Sequence, residues 1–282
     1  MPTSTPSHVP GKDYAWSMCL IAIAWRAHPR YPLALIANRD EFHARPTTPA
    51  GFDPEAGHAY GGRDLVQGGS WLQVSAPGRL AAVTNVRDGL GAESAPRSRG
   101  WLVHDFIRGS EPALTSAGAL AEHAPDYGRY NLLLWDGDAL AFASNHPQPA
   151  HAAVAPGLHA MSNGAFDAPW PKSGHATRAL EAWLRSAATD GPVVDAIDSL
   201  SPLFTALADT TPATDDTLPE TGVGLTLERA LSPPFVRGER YGTRCSSVVL
   251  VSEDALVFAE RRFGPDAAPA GESFIRLLRG NA

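Results

Sequence analysis

Cysteine is nearly absent: the 282 residues contain two, Cys19 and Cys245. That is too few for a disulfide scaffold and points to a reducing compartment, the cytoplasm, as the setting. Neither cysteine stands in a C-x-x-C pair or is followed closely by histidine, and the ten histidines are scattered with no H-E-x-x-H arrangement. Zinc and c-type haem sites have no visible anchor, and no metal or cofactor is expected. Long apolar runs are missing too. None approaches the roughly 20 residues that span a bilayer, so no transmembrane segment is expected. Basic charge is in deficit, with 23 Lys and Arg against 30 Asp and Glu and a net charge of −7. Binding a polyanion needs a basic face, which argues against nucleic acid as the main partner.

Glycine and proline are plentiful, at 26 and 25 residues, as in chains with many tight turns between strands. Hydrophobic content of 44% with 19% charged residues is ordinary for a globular chain of one large or two small domains. Residues 1–17 are rich in Pro, Ser and Thr, with neither a basic start nor an apolar centre, so they are not a secretory signal. They read as a disordered leader, a removable propeptide or a misassigned start, the last being preferred because Met18 is itself a plausible initiator. Methionine is commonly trimmed before a small residue, and Cys19 is small. The remainder, 18–282, reads as one domain.

The segment Met18-Cys19-Leu20-Ile21-Ala22-Ile23-Ala24-Trp25 is an apolar run with the period and length of a buried strand. A Pro-bearing turn returns the chain through Leu33-Ala34-Leu35-Ile36-Ala37, which ends abruptly in Asn38-Arg39-Asp40-Glu41. An antiparallel return places that charged tetrad beside Cys19. Residues 46–62 read as a long irregular loop. A second hairpin, 70–74 with 79–84, again finishes in polar residues, Thr84-Asn85-Val86-Arg87. Helices are expected at 98–107 and 111–123, with Leu114 and Leu120 in the core, and at 173–187 and 193–207. Further strands are expected at 130–135, 139–144, 158–163, 248–251 and 255–261, with 274–278 as a last edge strand; residues 209–224 read as a surface loop. Hairpins at both ends with helix pairs between them give one α+β domain of sheets covered by helices.

Several stretches, in order, resemble the NRDE family, also called the transport and Golgi organisation protein 2 family. They are Met18-Cys19, Ala37-Asn38-Arg39-Asp40-Glu41-Phe42, Arg45-Pro46-Thr47, Gly62-Arg63-Asp64 and Gly69-Ser70-Trp71-Leu72. Further on they are Thr84-Asn85-Val86-Arg87, Ser162-Asn163, Pro169-Trp170-Pro171-Lys172 and Tyr241-Gly242-Thr243-Arg244. The family in turn is similar to the N-terminal nucleophile hydrolases, in the branch of bile-salt hydrolases and penicillin V acylases. The resemblance implies a four-layer αββα sandwich with the first residue of a strand as nucleophile. It implies Cys19 as that nucleophile, its own α-amino group as base, Asn85 as an oxyanion donor and Asn163 as a second asparagine. It also implies Arg39 or Asp40 as the charged flank of the cysteine and Arg244 as a late arginine. Asn38, Glu41, Trp71, Arg87 and Trp170 complete the expected site as substrate contacts.

Thiols ionise only slightly at neutral pH, with an ordinary pKa of about 8.5, whereas an α-amino group titrates near ~7.7–8.0, close to the optimum for a general base. The reaction this implies is acyl transfer to water from an amide or thioester of a small metabolite. The resemblance also carries a second reading, a non-catalytic protein that handles haem, lipid or acyl-CoA.

Overall fold

The computed structural model describes residues 18–91, 94–186 and 194–279. The leader reading for residues 1–17 and the expected helix ends at 187 and 193 lie outside the described residues. Two antiparallel sheets stack face to face. The first has the order β10 (Gly157–Met161), β1 (Met18–Trp25), β2 (Leu33–Phe42), β11 (Tyr241–Val251), β12 (Ala255–Phe263), β13 (Pro269–Leu278). The second runs β3 (Gly51–Asp53), β4 (Ala56–Gly61), β5 (Leu72–Ser75), β6 (Arg79–Asn85), β7 (Tyr130–Trp135), β8 (Leu140–Ser144), β9 (Ala150–Ala153).

Strand alternation explains the layering. In β1, Ile21, Ile23 and Trp25 enter the core between the sheets with Leu35, Leu80, Leu133 and Phe258. Leu20, Ala22 and Ala24 point the other way, into a core shared with Leu180 and Trp183 of α3 (Pro171–Leu184) and Leu203 and Phe204 of α4 (Ser201–Leu207). A strand with apolar residues on both faces must be covered on both, and it is. The second sheet packs its outer face on α1 (Gly100–Arg108) and α2 (Ala113–Ala119) through Val83, Leu102, Phe106 and Ala117. The result is the four-layer αββα sandwich expected from the resemblance.

Local expectations fare unevenly. The segment expected as irregular loop, 46–62, contains the short strands β3 and β4. β9 and α5 (Leu225–Ala230) were likewise not expected. Leu114 is 39% exposed, and the buried side of α2 is formed by Ala113 and Ala117; the methyl-sized pair at i, i+4 lets the helix lie close on the sheet. The long helix expected at 193–207 begins as a short 3-10 turn, Ile197–Leu200, and becomes α-helical only at Ser201, where Pro202 occupies the first turn. Proline has no N–H to lose there and sets the helical φ, so it fixes the start. The last edge strand is longer than expected, Pro269–Leu278. Among the described residues, no helix is long and apolar enough to cross a membrane.

Candidate functional site

The β1–β2 ladder sets Met18 opposite Asp40, Cys19 opposite Arg39 and Leu20 opposite Asn38. Directly opposed residues share a face, so Arg39 and Glu41 lie on the inter-sheet side with Cys19. Asn38 and Asp40 continue the helix-facing row of Ile36. The charged tetrad is thus split between two environments.

On the inter-sheet side, Cys19, Arg39, Glu41, Trp71 and Asn85 line a cleft of about 90 Å³ at the end of the sandwich. The Arg39 guanidinium lies 4.4 Å from the centroid of the Trp71 ring, and 3.5 Å separates its Nη2 from Glu41 Oε2. That same carboxylate oxygen is 3.7 Å from Arg45 Nε, and Glu41 Oε1 accepts the Phe42 N–H at 2.8 Å. Burial pushes the Cys19 thiol up to about 12, the nearby Asp40 carboxylate adds to the rise, and the Arg39 guanidinium opposes it. With chain still attached before it, Cys19 is a protonated, buried thiol at neutral pH.

The corner after β10 ties the two sheets together at this point. Ser162 Oγ donates to the Cys19 carbonyl at 2.7 Å and Thr84 Oγ1 to the Ser162 carbonyl at 2.6 Å. Asn163, fully buried, donates from Nδ2 to the Asn85 carbonyl at 2.8 Å, and its own carbonyl accepts the Arg87 N–H at 2.8 Å. Asn163 therefore sits behind Asn85 and holds its backbone, outside the cleft wall. Replacing Asn163 by alanine removes the hydrogen bond to the half-buried Asn85 carbonyl, and urea unfolding is expected to show a loss of about 1 kcal/mol. An unchanged midpoint would show that the tie contributes nothing.

Other expected site residues stand farther off. Asn38 is 1% exposed on the opposite face of the sheet, where Nδ2 donates to the carbonyls of Leu207 and Pro234 and Oδ1 accepts from Ser246 Oγ. It fastens α4 to the sheet and does not reach the cleft, which corrects its expected substrate contact. Arg244 spends Nη1 on the carbonyls of Phe42 and Arg45, both at 2.9 Å, and so fixes the bend after β2. Arg87 bonds Glu228 and, at 2.7 Å, Thr221 Oγ1, and lies 5.3 Å from the Trp170 ring centroid. Arg87 thereby ties residues 221–228 to the end of β6, and neither Arg87 nor Trp170 lines this cleft.

A family model described as Transport and Golgi organisation 2 matches residues 18–265. The chain belongs to that family. The human Transport and Golgi organization protein 2 homolog is 32% identical over 260 residues, covering 86% of this chain and 92% of the human protein. The Drosophila melanogaster Transport and Golgi organization protein 2 is 36% identical over 102 residues, 32% of this chain and 35% of that one. Among solved structures, the Caenorhabditis elegans ortholog of N-acylethanolamine-hydrolyzing acid amidase is similar with TM-score 0.46 and 9% identity, over 82% of this chain and 92% of that chain. A mutant conjugated bile acid hydrolase from Clostridium perfringens is similar with TM-score 0.47 and 7% identity, over 95% of both chains. Every residue of the cleft falls within the span matched by the Transport and Golgi organisation 2 model.

In this Transport and Golgi organisation 2 chain, the cleft has a second wall that the sequence reading missed. Arg45, Asp64, Gln67, Ser70 and Arg99 line it. Arg45 forks onto Asp64, and Thr47 bridges Asp64 through the backbone. Gly69 makes the wall possible: its φ is +76° and a Cβ there would lie 2.2 Å from the Gly100 carbonyl carbon. Only glycine lets residues 68–70 lie against the start of α1, where the Ser70 N–H donates to the Gly100 carbonyl at 3.0 Å. Lys172, the second residue of α3, was missed as well. It is 3% exposed, with Nζ 3.4 Å from the Leu231 carbonyl. Burial lowers its pKa to about 8 while Asp40 pulls it upward. Asp40 is raised to about 6 by burial, with Lys172 the largest opposing influence and the Thr243 hydroxyl bond next. Asp40 and Lys172 are two buried groups of opposite charge near the cysteine that influence each other through the field, without a direct ion-pair contact. Among the described residues, no group of three or more His, Cys, Asp or Glu side chains is placed to hold a metal ion.

Proposed function

We propose that the chain is a cytoplasmic cysteine hydrolase that cleaves an amide or thioester bond of a small acylated metabolite, with Cys19 as an N-terminal nucleophile. The observation that carries this reading is the register of β1 on β2: it sets the thiol of a strand's opening residues against Arg39, in a cleft that Asn85 also lines. Removal of Met18 frees the α-amino group of Cys19, which takes the thiol proton. The thiolate attacks the acyl carbon, and the Asn85 carboxamide donates to the oxyanion that forms. The leaving amine or thiol departs with the proton, and water then cleaves the thioester to regenerate the thiol. Arg39 favours the thiolate throughout.

Intact-mass measurement joined to thiol labelling tests this reading. A chain beginning at Cys19 is expected to alkylate with an inflection near the α-amino pKa of about 8. A chain retaining residues 1–18 is expected to react slowly, with a rate still climbing at pH 10, because burial holds its thiol at about 12. Mature protein that keeps Met18 lacks the proposed base and overturns the mechanism.

A further inference from the structure

Arg39 is 6% exposed, and its Nη1 has no hydrogen-bond partner in the protein. Its polar neighbours are already engaged. Glu41 is bonded to the Phe42 N–H through one oxygen and shared between Arg39 and Arg45 through the other. Asp64 is held by Arg45 and accepts the Val66 N–H at 2.9 Å. The cleft is lined by three guanidiniums, of Arg39, Arg45 and Arg99, against two carboxylates, of Glu41 and Asp64, which leaves one positive charge in excess. Trp71 covers the face of the Arg39 plane, so what the guanidinium can offer a ligand is its N–H edge, the geometry that a planar or tetrahedral anion accepts. A buried cationic donor without a partner is costly unless something fills the role.

We propose that Arg39 is an anion seat for the substrate: the acyl compound attacked by Cys19 carries a carboxylate, or an equivalent oxyanion such as phosphate, within a few atoms of the scissile carbonyl. Cys19 and Arg39 are cross-strand partners, whose Cβ atoms in such pairs stand about 4.5–5.5 Å apart, so an anion on the guanidinium is held next to the sulfur. This deepens the hydrolase reading and rests on it for the identity of the attacked group, but anion recognition can be measured without turnover.

The test compares alkylation of Cys19 in the full chain by iodoacetate and by iodoacetamide, scored on the Cys19 peptide by mass. In both, an S–C bond forms, iodide leaves and the thiol proton goes to solvent; only the charge of the reagent differs. Any effect of Arg39 on thiol ionisation is common to the two reagents and cancels in their rate ratio. The iodoacetate-to-iodoacetamide ratio at Cys19 is expected to exceed that of glutathione by at least about tenfold, as charge-assisted hydrogen bonds to a buried guanidinium deliver. Arg39→Gln is expected to return it to the glutathione value, with Arg39→Lys between.

Acetate or inorganic phosphate, at matched ionic strength, is expected to protect Cys19 from iodoacetamide while acetamide does not; which of the two protects better tells carboxylate from phosphate. A wild-type ratio equal to that of glutathione, without protection by either anion, overturns the proposal even if Arg39→Gln fails to fold. A high ratio in a protein that hydrolyses nothing sinks the hydrolase reading and leaves the anion seat standing.

Discussion

Replacing Cys19 by alanine is expected to reduce hydrolysis of the responsive amide or thioester to background, a fall on the order of a thousandfold or more. The size follows from the lack of a substitute in the described cleft. Ser70 is 2% exposed and its hydroxyl is committed to the Gly62 carbonyl at 2.6 Å. Cys245, two strands away from Cys19 across Arg39, is 4% exposed, and burial together with the Glu260 carboxylate pushes its thiol well up. Cys19→Ala removes one small, buried side chain, so the variant should fold and its loss should be chemical. The measurement is kcat/KM over a panel of acyl amides and thioesters, on protein whose N-terminus has been verified by mass. Hydrolysis unchanged in the alanine variant removes the nucleophile role. Stoichiometric haem binding that survives the substitution, in protein without hydrolytic activity, favours the carrier reading instead.

The second large effect is on stability. Lys172→Met removes the cation that most offsets the burial of the Asp40 carboxylate, which is 1% exposed and keeps the Thr243 hydroxyl bond; the cost is expected to approach the roughly 3–5 kcal/mol of an uncompensated buried charge. Asp40→Asn added to Lys172→Met removes the stranded charge, and the double variant is expected to regain most of that loss at pH 7. The pH dependence has a distinctive sign. Asp40 titrates at about 6 in the folded protein against an ordinary 3.8, so between roughly pH 4 and 6 the folded state holds a proton that the unfolded state has lost. Raising the pH through that window weakens the fold. Lys172 titrates at about 8 against an ordinary 10.5, so between those values the unfolded state holds the extra proton and raising the pH strengthens the fold. The pair's contribution is therefore least favourable from about pH 6 to 8, where both groups are charged. Denaturant unfolding of wild type and double variant across pH 4–10 should show the wild type improving, relative to the double variant, on both sides of that interval. A flat difference would mean that Asp40 and Lys172 do not titrate as a buried pair.

The first hairpin was legible because its two apolar runs and one proline turn fix both pairing and polarity, and with them the approach of Arg39 to Cys19. The same period of two already implies that Asn38 and Asp40 face away from Arg39 and Glu41; treating the tetrad as one cluster hid that. Arg45, Asp64 and Arg99 were illegible for a different reason. Arg45 meets Asp64 through the isolated Thr47–Asp64 bridge, and Arg99 joins them because glycine allows residues 68–70 to touch the start of α1, a contact between segments about thirty positions apart with no periodic signal. Lys172 stood in the sequence only as part of a family motif just before the expected helix, and nothing local marks it as buried; the oppositely charged Asp40 lies on a strand 132 positions earlier. Leu114 shows the converse, since a leucine in an alanine-rich helix reads as core, yet close packing on the sheet selects the smaller side chains.

The pairing of Met18 with Asp40 in the β1–β2 ladder bears on timing. An aminopeptidase needs the scissile end of its substrate as a loose, extended strand, whereas here the backbone of Met18, the residue that the hydrolase reading would remove, is paired with β2. On the hydrolase reading, trimming thus belongs to the nascent chain, before the first sheet closes, and the completed fold preserves whichever end was present when it formed. The same ladder that aims the thiol would then act as a one-time record of how the chain began.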